Sequence, residues 1–295
     1  MPEPVDTPIP TVIIVGAGSA ISMSGNIFPL FEQLGIYEEL KSVSLPSISI
    51  DFYDTKLNAL GSVYSNEHNI VTGYCTLVTA RPKLYNILRR KVPSHKVSMG
   101  KKVLRTKEHD NKVTVYCSDN TEYDCRILVG ADGAYSAVRQ NIYKTLERQD
   151  RLPSIDKEAF SIGYITMVGA SKPNNPEKYP QLAEKHRAHF RVTVGDNNDS
   201  VITAPDNQIS WGIQIQIPED KAKDLHFRNS EWGPESIDDM LSQFQDFPCT
   251  FGGTMKEIFD VIPRNLISKV FLEEKAFQTW YNGQSVSIGD GNAKL

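Results

Sequence analysis

Apolar residues recur along this chain with two different periods. Thr11-Val12-Ile13-Ile14-Val15 is a β-branched run ending in Gly16-Ala17-Gly18, the pattern of a short buried parallel strand that feeds a glycine turn. Phe28 to Leu40 reads as a helix, with Leu30, Phe31, Leu34 and Ile36-Tyr37 on its apolar face. Ser47–Tyr53 and Val63-Tyr64 read as strands. Pro82–Arg90 is a helix, with proline in its first turn and Leu84, Ile87 and Leu88 sharing one face. Val113–Cys117 alternates as a strand and turns at Asp119-Asn120 into Glu122–Val129, a hairpin that leads to Gly130.

Past residue 160 the texture changes. Phe160–Val168, Ala188–Val194, Ser200–Thr203 and Gln208–Ile217 are short strands set apart by turn clusters such as Lys172-Pro173-Asn174-Asn175-Pro176. Trp211, Ile213, Ile215 and Ile217 alternate with polar and small residues, which predicts one buried sheet face. Helices resume at Ser236–Phe247 and Thr254–Asp260, and Phe277–Ile288 is a last strand region ending in Gly289-Asp290. Strands and helices interleave in an α/β chain that carries an insertion rich in antiparallel sheet.

Composition narrows the function classes. The 295 residues are 40% hydrophobic and 23% charged, enough for a core in one large unit or two joined domains. A net charge of −4 leaves no basic excess to neutralise nucleic-acid phosphates. No apolar run reaches the length of a membrane span, and Met1-Pro2-Glu3-Pro4 lacks a signal-peptide pattern, so a cytoplasmic location is expected. Cys75, Cys117, Cys125 and Cys249 have no metal-ligand spacing and read as reduced thiols. His186 and His189 lie among Lys185, Arg187 and Arg191, a solvated basic stretch rather than a metal site. No metal is expected.

Three segments carry candidate chemistry. In Ile127-Leu128-Val129-Gly130-Ala131-Asp132-Gly133-Ala134-Tyr135-Ser136-Ala137-Val138-Arg139, a buried strand meets a glycine turn and then a helix opened by Ser136. Gly133 allows close backbone approach, the helix start offers N–H donors to phosphate, and Asp132 and Arg139 add oriented charge. The plain alternative is a strand-to-helix turn with a structural aspartate. Gly16 and Gly18 follow an apolar strand as in a dinucleotide-binding turn, but Ile21 stands where a third glycine belongs. Only a short stretch separates Gly18 from the next helical region, too little for the usual helix, second strand and ribose-binding acid. Arg81 opens a helix, either as a bidentate phosphate donor or as a solvated residue.

Together these segments resemble the class A flavoprotein monooxygenases of fungal type. The Asp132-Gly133 segment matches that family's DG motif, Thr79-Ala80-Arg81-Pro82-Lys83-Leu84 its arginine segment, and Phe277 to Asp290 the strand before its GD motif. Phe31 to Leu40 is similar to a further family helix. The resemblance implies an FAD-binding Rossmann-like domain of the GR2 type, three-layered and incomplete, with an inserted, mostly antiparallel β-sheet substrate domain. It places the FAD domain at residues 1–150 and 265–295 and the substrate domain at 151–264. About thirty residues after Gly18 are expected to be missing, and the chain ends where the family continues into a turn and helix under the flavin ring. The implied cofactor residues are Gly16, Gly18, Arg81, Asp132, Gly133, Arg139, Gly289 and Asp290, with no catalytic residue assigned. The implied reaction is oxygen insertion into a small organic molecule, with FAD as cofactor and NAD(P)H as co-substrate. Two alternatives stay open: a non-catalytic remnant with weak or no FAD binding, and a related FAD-dependent reductase or epoxidase. Any C-terminal membrane anchor of the family is expected to be absent.

Overall fold

The computed structural model describes residues 20–295, apart from residues 110, 134, 159–160, 196–197, 219–233, 290–292 and 295. The expected first strand at 11–15, Gly16, Gly18 and Asp290 lie outside the described residues. The described chain divides into two compact units, one of residues 20–91 and 162–272 and one of residues 92–161 and 273–295.

The larger unit is organised by a mixed sheet. Its strands lie in the order Ala20–Met23, Leu77–Ala80, Leu45–Asp54, Ala188–Val194, Asn198–Ala204, Gln208–Gln216, Ser161–Ala170 and Ile267–Ala276, with Ala59–Tyr64 folded back on Leu45–Asp54. Leu45–Asp54 and Ala188–Val194 run parallel, whereas the pairings from Ala188–Val194 through to Ser161–Ala170 are antiparallel. One face carries Met167, Val201, Ile209, Trp211 and Ile213, all buried against Met240, Leu241 and Phe244 of the Pro234–Phe244 helix and Met255, Ile258 and Phe259 of the Met255–Asp260 helix. The expected alternation holds, with Trp211, Ile213 and Ile217 buried and Ile215 half-buried. Each such side chain contributes about 1.5–3 kcal/mol by leaving water. Across the other face, Phe52, Val192, Ser200, Gly212 and Val168 stand side by side in register and are half-buried.

The single helix expected over Phe28–Leu40 is two, Phe28–Gln33 and Tyr37–Ser42. Gly35 takes φ +61°, and Ile36 N–H bonds back to Phe31 O, which closes the first helix and redirects the chain. The change of direction decides which residues face inward. Phe28, Phe31, Ile36 and Leu40 join Leu77 and Ile87 in the core, while Leu30 and Leu34 are exposed. The helix expected at 82–90 is present as Arg81–Lys91.

The smaller unit holds an antiparallel sheet of Val103–His109, Lys112–Cys117 and Glu122–Cys125, and a second sheet of Tyr281–Asn282, Ser285–Ser287 and Leu128–Gly130. Val138, Ile142 and Leu146 of the Ala137–Arg148 helix pack with Val113, Val115, Cys117, Cys125 and Leu128. Two expectations are corrected here. Glu122–Val129 is not one strand: it breaks at Arg126-Ile127, and its halves pair in different sheets. Phe277–Ile288 is not continuous either, because a ten-residue strand ends at Ala276 and a short hairpin follows. Val103–His109 escaped the pattern because it is a mostly exposed edge strand rich in charge.

Packing places Leu45–Asp54 beside Ala188–Val194, so the compact units are cut at different points from the cofactor and substrate boundaries that the resemblance implies. Those boundaries concern which residues hold ligands.

Candidate cofactor site

Within the smaller unit, Leu128–Gly130 and Ser285–Ser287 are parallel neighbours, with Leu128 beside Ser285 and Gly130 beside Ser287. Ile288 N–H extends the ladder by donating to Gly130 O at 2.8 Å. The Asp132-Gly133 turn and Gly289 therefore leave the carboxyl ends of adjacent parallel strands. That edge is where open α/β sheets hold their ligands. The structure thus brings together Asp132, Gly133 and Gly289, which are far apart in sequence. Arg81 belongs to the other unit, where it follows the buried strand Leu77–Ala80 and opens an 11-residue helix. Its side chain is exposed, and its guanidinium makes no ion pair among the described residues.

The turn is shaped by packing. A Cβ on Gly130 would lie 2.5 Å from Val138 Cβ, so only glycine lets the following helix approach the strand end. Gly133 takes φ +78°, and among the described residues beyond its chain neighbours no atom lies within 4 Å of the place a Cβ would occupy. The backbone is bare on that side.

Asp132 has its two carboxylate oxygens in different situations. Oδ2 accepts the N–H groups of Ala137 at 2.6 Å and Val138 at 3.3 Å, and Ser136 Oγ accepts that of Arg139 at 2.9 Å. The first turn of the helix is capped from within the chain, so these three donors are not available to a phosphate, contrary to the expectation from sequence. Asp132 Oδ1 is buried and has no hydrogen-bond partner among the described residues. An acceptor left in that state costs about 1–3 kcal/mol. It is matched by a hydroxyl donor and mismatched by an anion.

Arg139 is only 4% exposed, with its guanidinium carbon 4.3 Å from the centre of the Phe277 ring. It faces the interior of its own unit. Two further carboxylates act here without any local sequence signal. Glu108 Oε1 accepts Gln284 N–H at 2.9 Å and Ser285 Oγ–H at 3.0 Å, pinning the hairpin that leads to Gly289. Asp156, 5% exposed, accepts Gln278 N–H and Thr279 N–H, each at 2.9 Å. Among the described residues no cluster of His, Cys, Asp and Glu could hold a metal, and no helix is long and apolar enough to cross a membrane.

No protein-family profile matches the chain. It is 25% identical over 276 residues to the FAD-dependent monooxygenase esdpE of Penicillium shearii, covering 90% of this chain and 53% of that protein. It is also 25% identical over 284 residues to the FAD-dependent monooxygenase ausM of Penicillium brasilianum, covering 94% and 56%. The chain spans about half the length of the curated relatives it matches. Among solved structures, HpxO of Klebsiella pneumoniae, complexed with FAD and uric acid, superposes with a TM-score of 0.69 at 17% identity, over 95% of this chain and 65% of that one. CtdE in complex with FAD and a substrate gives 0.68 at 13% identity, over 97% and 68%. The fold is that of the FAD-binding monooxygenases, an α/β frame with an inserted, mostly antiparallel sheet. In sequence this chain is similar to fungal FAD-dependent monooxygenases, and its fold is the one seen in solved FAD-binding monooxygenases.

Proposed function

We propose that the chain works as an FAD-dependent monooxygenase, an oxidoreductase that uses NAD(P)H and O2 to hydroxylate or epoxidise a small organic substrate. The observation that carries this reading is the buried Asp132 Oδ1, without a partner among the described residues, at the carboxyl edge of the parallel strand pair. A flavin's polyol chain brings hydroxyl donors of the kind this acceptor lacks. The bare backbone at Gly133 leaves room for such a chain to lie close. In this reading Gly16 and Gly18 approach the pyrophosphate, Arg81 pairs with it, and Asp132, Gly133, Gly289 and Asp290 hold the polyol and ring portion. Cofactor holding falls to residues 1–150 and 265–295, and residues 151–264 serve the substrate.

Bound FAD supplies the redox chemistry, taking two electrons from the nicotinamide and activating O2. The protein's part is placement and exclusion of water. On the sheet, the half-buried row of Phe52, Val192, Ser200, Gly212 and Val168 carries no charged side chain and suits a neutral organic molecule. No described side chain is assigned as an acid or base.

The test is a visible spectrum of purified protein incubated with excess FAD and then desalted, followed by NADPH oxidation under air. A retained flavin band that Asp132→Ala loses is expected. A wild-type chain that keeps no flavin would overturn the proposal.

A further inference from the structure

Among the described residues the Asp132-Gly133 turn is tied to the Gly289 segment by the β-ladder and by a second route. The second runs through Phe277. Arg139, in the first turn of the helix after Gly133, places its guanidinium carbon 4.3 Å from the Phe277 ring centre. Tyr143, one helical turn later on the same face, meets that ring edge-on at 5.9 Å between centroids. Lys275 Nζ lies 5.1 Å from the same ring centre. Immediately after Phe277, the N–H groups of Gln278 and Thr279 are held by the two oxygens of buried Asp156. Lys275 donates to the backbone carbonyl oxygens of Asp156 and Glu158, fixing the turn that carries this carboxylate. Trp280 Nε1–H then donates to Phe277 O at 2.7 Å, and Ser287 N–H donates to Trp280 O at 2.8 Å.

We propose that Arg139, Phe277 and Asp156 form a positioning clamp that sets the distance between the Asp132-Gly133 turn and the Gly289 segment, and through it the grip on FAD. Arg139 is then a positioning residue and touches no phosphate. Its cation lies on an aromatic face inside the unit, where desolvation strengthens the attraction. The clamp closes a ring. Strand Leu128–Gly130 leads to the turn and to Arg139, Arg139 to Phe277, and Phe277 through Trp280 to strand Ser285–Ser287, which pairs back with Leu128–Gly130. With the ladder alone, the turn could pivot about Gly130. With both ties its position relative to Gly289 is fixed. This inference rests on the FAD-binding reading above, but its geometry does not.

The test uses the full chain carrying Arg139→Met, Arg139→Lys and Asp156→Asn, with two readouts. Hydrogen exchange at the Ile288 amide, measured without flavin, reports the bond to Gly130. Arg139→Met and Asp156→Asn should each speed it by about tenfold, whereas Arg139→Lys, which keeps a cation over the ring, should restore much of the protection. In the presence of FAD, Arg139→Met should weaken binding by about tenfold and blur the fine structure of the flavin's visible band at saturation, again rescued by lysine. Unchanged Ile288 exchange in both Arg139→Met and Asp156→Asn would overturn the clamp, whether or not FAD binds. A lowered melting temperature with an unaltered flavin band and affinity would reduce Arg139 to a purely structural residue and also overturn it. If the wild type binds no FAD, the functional reading fails, and the exchange experiment still decides the clamp.

Discussion

Asp199→Asn isolates the cost of a buried carboxyl. Asp199 is 2% exposed in the strand Asn198–Ala204, between Thr193 on one neighbour and Ile213 on the other. Its Oδ2 accepts a hydrogen bond from Thr193 Oγ at 3.3 Å, while the Arg191 guanidinium donates elsewhere, to Thr250 O. Burial pushes the carboxyl from 3.8 up to about 6, with the Thr193 bond opposing the shift. The folded protein therefore holds this proton more tightly than the unfolded chain. Stability is fully present below the unfolded value and is lost as pH rises through the folded one. The difference of about 2 units, at 1.36 kcal/mol each, makes the loss about 3 kcal/mol between pH ~4 and pH ~7. Asparagine has the same shape, keeps an acceptor for Thr193 and carries no charge. Urea unfolding of both proteins across this range should therefore show the variant gaining on the wild type by about 3 kcal/mol from the acid to the neutral end. A difference that stays flat with pH would refute the reasoning, because Asp199 would then be ionised and compensated inside the fold.

Other perturbations test the frame around the candidate site. Gly130→Ala drives a methyl to 2.5 Å from Val138 Cβ and should cost about 1–3 kcal/mol by thermal unfolding. Glu108→Ala removes the acceptor for Gln284 N–H and Ser285 Oγ, and should cost about 1 kcal/mol and raise amide exchange across the hairpin at 281–287. Ile213→Ala, at a fully buried position beneath the two covering helices, should cost about 2–5 kcal/mol in urea unfolding. Ser136→Ala leaves Arg139 N–H without its cap and should cost about 1 kcal/mol, seen as a lowered melting temperature.

The fold was legible where a segment's own periodicity decides its state. Ala188–Val194 has the expected bounds, and the Trp211-Ile213-Ile217 alternation marks the face that the structure buries. Legibility failed where the partner decides. Leu128–Gly130 is three residues long and is a strand because Ser285–Ser287 lies beside it, which nothing local announces. Ser47–Tyr53 reads as a strand from its own pattern, but the neighbour of the observed strand Leu45–Asp54 is Ala188–Val194, more than a hundred residues away. In Phe28–Leu40 the apolar residues were visible, but one left-handed residue at Gly35 exchanged which of them face inward.

The candidate site separates residue identity from residue role. Asp132, Ser136 and Arg139 stand out in the sequence because their spacing suits an anion at a helix start. The folded segment spends that spacing on itself: Asp132 Oδ2 and Ser136 Oγ take the first helical N–H groups, and Arg139 turns inward onto Phe277. A helix that buries Val138 against Gly130 must have its first turn satisfied in the absence of ligand, since uncapped buried donors would cost more than the packing returns. Among the described residues of the turn, the capacity left over is the acceptor Asp132 Oδ1, and its partner must bring a hydrogen. Spacing in the sequence therefore locates the turn, and the accounting of its donors and acceptors, possible only once the helix is placed, favours the proposed hydroxyl over a phosphate as the group it would meet.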